Sequence, residues 1–179
     1  MSTDHVPFEK MLTGGHPNSL GNTIEVVELV VEDPARLSEL YECYFSKDEV
    51  VRLRVSNAFK RICAEHPDWL VPYLDRFLSE VATIDQASTQ WTLAHLWGEL
   101  EPFMNKEQLQ RAKEHLKDNL ANHRDWIVLN NTMQTLSDWA QKDAQLKTWL
   151  LPHLQRLSND SRKSVANRAN KLMKKNSPQ

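Results

Sequence analysis

The chain has 179 residues, of which 40% are hydrophobic and 26% charged, and its formal net charge is −2. Those proportions exclude wholesale disorder and give enough chain for one core or one short repeat array, and the near-neutral charge supplies no global field towards nucleic acid or acidic membranes. Only four glycines occur, which disfavours the turn-rich all-β and α/β classes and favours helices.

The first residues, 1–20, read as an irregular lead-in with at most a short helix near Glu9, because Gly14-Gly15-His16-Pro17-Asn18-Ser19 is a cluster of turn formers. No apolar signal-peptide core precedes it. Helical periodicity then runs to Lys175, with punctuation at regular intervals. A helix is predicted from Thr23 to Val31. Asp33-Pro34 starts a second, ending near Phe45, and Asp48 opens a third that His66-Pro67 breaks after Glu65. A fourth runs to about Val81 and a fifth from Asp85–Ser88 to about Pro102. Asn105 caps a sixth, residues 122–124 form a turn, and helices follow from Asp125, from Asp143 and after Ser158-Asn159-Asp160. Short links imply antiparallel neighbours, and the absence of period-2 alternation implies no sheet. The domain is expected over 21–175, with a disordered tail at 176–179. Cys43 and Cys63 belong to no ligand-like cluster and read as buried thiols of a reducing, cytoplasmic compartment.

Four of these helices align in register. Val55, Leu93, Leu129 and Val165 form one column, Phe59, Trp97, Met133 and Ala169 the next, and Ile62, Leu100, Leu136 and Leu172 a third, at steps of about 36–38 residues. Within each helix they stand at i, i+4 and i+7, a single apolar stripe. The intervening helices repeat too: Trp69-Leu70-Val71-Pro72-Tyr73-Leu74-Asp75-Arg76-Phe77 matches Trp149-Leu150-Leu151-Pro152-His153-Leu154-Gln155-Arg156-Leu157, and Trp69, Trp97 and Trp149, on apolar columns, are expected in the core.

On this repeat length, and on Val51-Arg52-Leu53-Arg54-Val55-Ser56-Asn57-Ala58 as the opening of a first helix, the chain resembles the HEAT-like (armadillo/HEAT type) helical-repeat family from about Leu20 to Lys175. Arg52 and Arg162 match the family's basic position there, whereas Gln90 and Trp126 occupy it in the other rows. The resemblance implies an all-α fold, an αα-superhelix of about four helix pairs plus a C-terminal capping helix, that binds partners along a face and carries no particular chemistry.

Opposite the apolar stripe lies a polar column, Asn57, His95, Asn131 and Asn167, beside a column of Leu53, Trp91, Ile127 and Lys163. Two readings are open: a recognition ladder whose amides bond a partner backbone while Trp91, Ile127 and the neighbouring Trp126 give contact area, or amides that bond adjacent helices. The second helices, which the resemblance places on the concave face, repeat Arg76 as Arg156, an arrangement suited to an anion or acidic peptide or simply to a solvated face. Residues 161–175 carry six Lys/Arg and no acid, which suits a nucleic-acid backbone, a polar end cap or a helix C-terminus.

No catalytic motif emerges. The seven histidines are scattered, and Gly14–Asn18 lacks the Lys-Ser/Thr of a phosphate loop. Trp97 with Glu101 and Trp139 with Asp143 loosely resemble the aromatic/acid pairs of HEAT-like alkylated-base DNA glycosylases, but no catalytic residue is assigned. The expected function is a non-catalytic cytoplasmic scaffold or adaptor for a protein or peptide, without cofactor, metal or membrane, as a monomer or weak homodimer. Nucleic-acid association is the alternative, and an accessory role towards a cofactor-bearing protein is a third.

Overall fold

A computed structural model describes residues 5–177. These residues are helical throughout, with short links and no strand among them. The α-helices are α1 (Phe8–Met11), α2 (Thr23–Glu32), α3 (Leu37–Glu42), α4 (Glu49–Glu65), α5 (Leu74–Ser79), α6 (Ala87–Leu100), α7 (Lys106–Asn122), α8 (Trp126–Ala140), α9 (Ala144–Leu157) and α10 (Lys163–Asn176). Tighter 3₁₀ turns occupy Pro34–Arg36, Cys43–Phe45, Pro67–Tyr73, Val81–Thr83 and Glu101–Phe103.

The expected punctuation operates through side chains. Asp48 accepts the Val50 N–H at 2.8 Å, and Asp125 accepts those of Ile127 and Val128 at 2.8 and 3.0 Å. Asn105 and Gln108 exchange hydrogen bonds in a capping box. Asp143 accepts from Leu146 N–H, and Asp160 accepts the Arg162 N–H just ahead of α10. Each bond satisfies a donor that the start of a helix leaves without an intrahelical partner. The second copy of the Trp-Leu-x-Pro motif lies inside α9, whereas the first runs through the 3₁₀ turn Pro67–Tyr73 into α5.

The chain divides into two compact units, Met1–Tyr73 and Leu74–Gln179. In the first, α2 packs on α4, and an aromatic cluster fills the interior. Tyr44 stacks on Phe59 with centroids 5.5 Å apart, and Tyr41 meets Phe59 edge-on at 6.3 Å. Cys43 and Cys63 are buried here, 5% and 1% exposed, and are not in disulfides, and burial pushes the Cys43 thiol up to about 12. In the second unit α6 packs on α8, and α8 on α10, with α7 and α9 against α8. All three aligned apolar columns are buried, none of the twelve side chains more than 2% exposed. Trp97 is completely enclosed, with Phe77 edge-on to it at 6.4 Å.

The lead-in is held by a charged residue. Arg54 sits on the buried face of α4 beside Val51, Val55 and Ala58 and is 1% exposed. Its guanidinium donates to the carbonyls of Leu12 (2.8 Å), Gly14 (2.6 Å), His16 (3.2 Å) and Ser19 (3.2 Å). Gly14, Gly15 and Gly21 adopt positive φ along this loop. At Gly21 a Cβ would stand 2.8 Å from Arg54 Cζ, so the loop closes over the guanidinium only with glycine there. At the other end, Asn176 is within α10 and fully buried, donating to Ser137 Oγ at 2.7 Å; residues 178–179 of the expected tail lie outside the described residues.

Candidate functional site

The candidate site in residues 74–179 is one side of the α6–α8–α10 layer. Side chains stitch that layer together. Thr135 Oγ1 donates to the Ala94 carbonyl at 2.7 Å, Arg168 donates to Gln134 Oε1 at 2.9 Å, and Lys175 pairs with Asp138 at 2.9 Å. The ladder residues project from this layer with graded exposure. Trp91, His95, Ile127 and Asn131 are half-buried, Asn167 is exposed, and Trp126, the first residue of α8, is 48% exposed. Asn131 Nδ2 lies 3.4 Å from the Trp91 carbonyl, so one rung bonds a neighbouring helix. Asn57, in the other unit, is half-buried and accepts from Arg61 Nε at 2.7 Å within its own helix.

Below His95 the same side opens into a groove of about 320 Å³ between α6 and α8, lined by His95, Glu99, Gln134 and Asp138 and ending at Trp139 and Lys142. Its lining is mostly polar, with Glu99, Glu101 and Asp138 against the single Lys142, which suits a polar segment better than an apolar small molecule. Among the described residues no three His, Cys, Asp or Glu side chains form a group able to hold a metal ion. Asp143, of the Trp139/Asp143 pair, caps α9 and accepts from Lys113 Nζ at 2.8 Å, which holds its carboxyl below the usual range. Trp97 and Trp139 are buried.

The recurring arginines are both engaged. Arg76 pairs with Glu80 one turn on, at 2.9 Å. Arg156 donates to the Leu120 carbonyl at 3.0 Å and thereby covers the last turn of α7. Just ahead of α10, Arg162 is held by Asp160, whose carboxyl is drawn down to about 2 by that guanidinium. Lys163, Lys171 and Lys174 remain exposed, and with Asn167 and Asn170 they form a stripe at 3.6-residue spacing.

Trp69 and Trp149, expected in the core on their apolar columns, are half-buried instead. Trp69 stacks on His66 with centroids 3.9 Å apart, and Trp149 stacks on His153 at 4.1 Å with Lys117 Nζ 5.1 Å from its ring centroid. Each indole shields an imidazole or ammonium stem rather than filling the interior.

A polar network inside the second unit was not anticipated. Trp97 Nε1 can only donate, and it does so to His115 Nδ1 at 3.0 Å. The imidazole proton therefore resides on Nε2, which donates to Gln90 Oε1 at 2.7 Å. Asn119 Nδ2 donates to the same oxygen at 2.9 Å, while Gln90 Nε2 donates to the carbonyls of Ala82 and Ile84. Burial pushes the His115 ring down to about 4, and Asp118 opposes that only in part. The signal available in the sequence was Trp97 itself, since a buried indole N–H needs an acceptor. For Arg54 it was a cation inside the apolar stripe of α4. No helix among the described residues is long and apolar enough to cross a membrane. No protein-family model matches the chain, and neither a curated protein nor a solved structure matches it.

Proposed function

We propose that the chain is a non-catalytic, HEAT-like binding module of the cytoplasm that engages a protein or peptide partner along the α6–α8 side. The observation that carries this reading is Trp126, a large aromatic 48% exposed at the first position of α8, next in the chain to the half-buried Ile127. Partly exposed tryptophan with a polar surround is the composition of an interface hot spot. His95, Asn131 and Asn167 then supply donors and acceptors at the rim, and the groove beyond His95 receives a polar stretch of the partner.

The test compares capture from native lysate by the wild-type chain and by Trp126→Ala, with mass spectrometric identification. A specific partner should be recovered by the former and reduced about tenfold in the latter, a loss of roughly 1.4 kcal/mol, at an unchanged melting temperature. Equal recovery by both sinks this reading.

A second reading, nucleic-acid association in the manner of the HEAT-like glycosylases, is favoured by the exposed Lys163, Lys171 and Lys174 stripe. Three phosphate contacts give a log Kd against log salt slope of about 3 in magnitude on duplex DNA. Lys163→Glu/Lys171→Glu should abolish the binding, and absence of binding at about 50 mM salt removes this reading.

A further inference from the structure

The helix α2 is apolar on two sides. Thr23, Val26 and Val30 are buried. Ile24, Val27 and Val31 form a second stripe, rotated by roughly a quarter-turn from the first at 100° per residue. Ile24 and Val31 are 40% and 41% exposed. Together with Ile62, Ala64 and His66 of α4 and its end they line an open groove of about 360 Å³. A solvated helix would carry polar residues along that stripe. Here three β-branched side chains line a trough about 11 Å long, two turns of helix.

The charges around the trough have a sign. α2 carries Glu25, Glu28 and Glu32, all exposed, and no cation. Glu28 and Glu65 sit on the groove itself, opposed there by Arg61, whose Nε is engaged with Asn57. None of these four glutamates forms an ion pair among the described residues. A second copy of the chain seated symmetrically on this stripe would bring the α2 glutamates of both copies together, which disfavours self-association. The complementary occupant has apolar side chains at i, i+3 or i+4 and i+7 and lysine or arginine on their flanks.

We propose that the α2–α4 groove is a docking site for a basic amphipathic helix of a partner protein. The inference rests on reading the chain as a protein-binding module and names a second site and partner class, apart from the α6–α8 side. The stripe provides the apolar seat, and Glu28 and Glu65 select against acidic helices.

The probe is a fluorescein-labelled peptide of about 18 residues, leucine at helical spacing and lysine elsewhere, with a scrambled peptide of identical composition and an analogue carrying glutamate for lysine. Anisotropy is measured on the full-length chain. The lysine peptide should bind, and the scrambled and glutamate peptides at least tenfold more weakly. Ile24→Ser/Val31→Ser should weaken binding about tenfold. Glu28→Lys/Glu65→Lys, which touches only exposed carboxylates, should weaken it several-fold and keeps the test valid if the apolar variant misfolds. Trp126→Ala should bind as wild type, so a failed Trp126 capture experiment and a failed peptide experiment are distinguishable. Equal binding of the scrambled peptide, or unchanged affinity in Glu28→Lys/Glu65→Lys, overturns the proposal. So does a dimer in sedimentation velocity that Ile24→Ser/Val31→Ser abolishes, because the seat then belongs to another copy.

Discussion

Arg54 and His115 are buried for opposite electrostatic reasons. Four carbonyl oxygens surround the Arg54 guanidinium, which compensates much of the desolvation of a buried ion. Gly21→Ala should therefore destabilise the chain by about 1–3 kcal/mol, from its φ of +52° and from a Cβ driven against Arg54, as read by urea denaturation. The sequence showed this cation in an apolar stripe, but not its partners, because backbone carbonyls carry no residue-type signature. His115 stays neutral, since a protonated ring could not accept from Trp97 and would lose hydration. Its pKa falls from 6.5 in the unfolded chain to about 4 in the fold. The associated stability is complete above about pH 6.5 and drains away as the pH drops towards 4, by on the order of 3 kcal/mol if nothing relaxes. Urea midpoints at pH 7 and 4.5 should differ more in wild type than in His115→Gln; equal differences would remove His115 as the cause.

At the scale of elements, helix starts were the most readable feature. Asp48, Asn105, Asp125 and Asp143 each place an oxygen where the first turn has free N–H groups, and that chemistry is local. Asp125→Ala should cost about 1 kcal/mol, measured as a shift of the denaturation midpoint. Asp143→Ala should cost more, because Lys113 loses its carboxylate as well. The apolar columns were equally legible, since their spacing alone states which face is inward. The 3₁₀ stretch Pro67–Tyr73 was not, because α and 3₁₀ turns share nearly the same apolar spacing and differ in which carbonyl is bonded. Trp69 and Trp149 were misassigned for a related reason. A column gives a direction, but a wide indole at the edge of the stripe can turn onto an adjacent imidazole. Of the candidate site, Trp126 and the Lys163–Lys174 stripe could be anticipated from position, whereas the Asn131 bond to the Trp91 carbonyl depends on how closely α6 and α8 approach.

At the scale of the molecule, residues 74–177 repeat one arrangement, α6, α8 and α10 laid side by side and joined by hydrogen bonds across the layer, as nearest-neighbour stacking requires. Residues 5–73 solve the same problem differently, with an aromatic cluster and a tethered lead-in. That unit also holds both thiols, and the enclosure of Cys63 makes it a clock for the unit's opening. A disulfide reagent can reach Cys63, on the buried face of α4, only when α4 and its surroundings part, so its modification rate at neutral pH counts openings of the first unit while ignoring those of the second. Labelling of Cys63 should be slow in the intact chain and accelerate on Gly21→Ala, whereas Asp125→Ala should leave it unchanged; rapid stoichiometric labelling of Cys63 in wild type would show that this interior breathes freely. In a Cys43→Ser background, reagents aimed at cysteines newly introduced on either proposed docking face would then report those faces alone, with Cys63 silent.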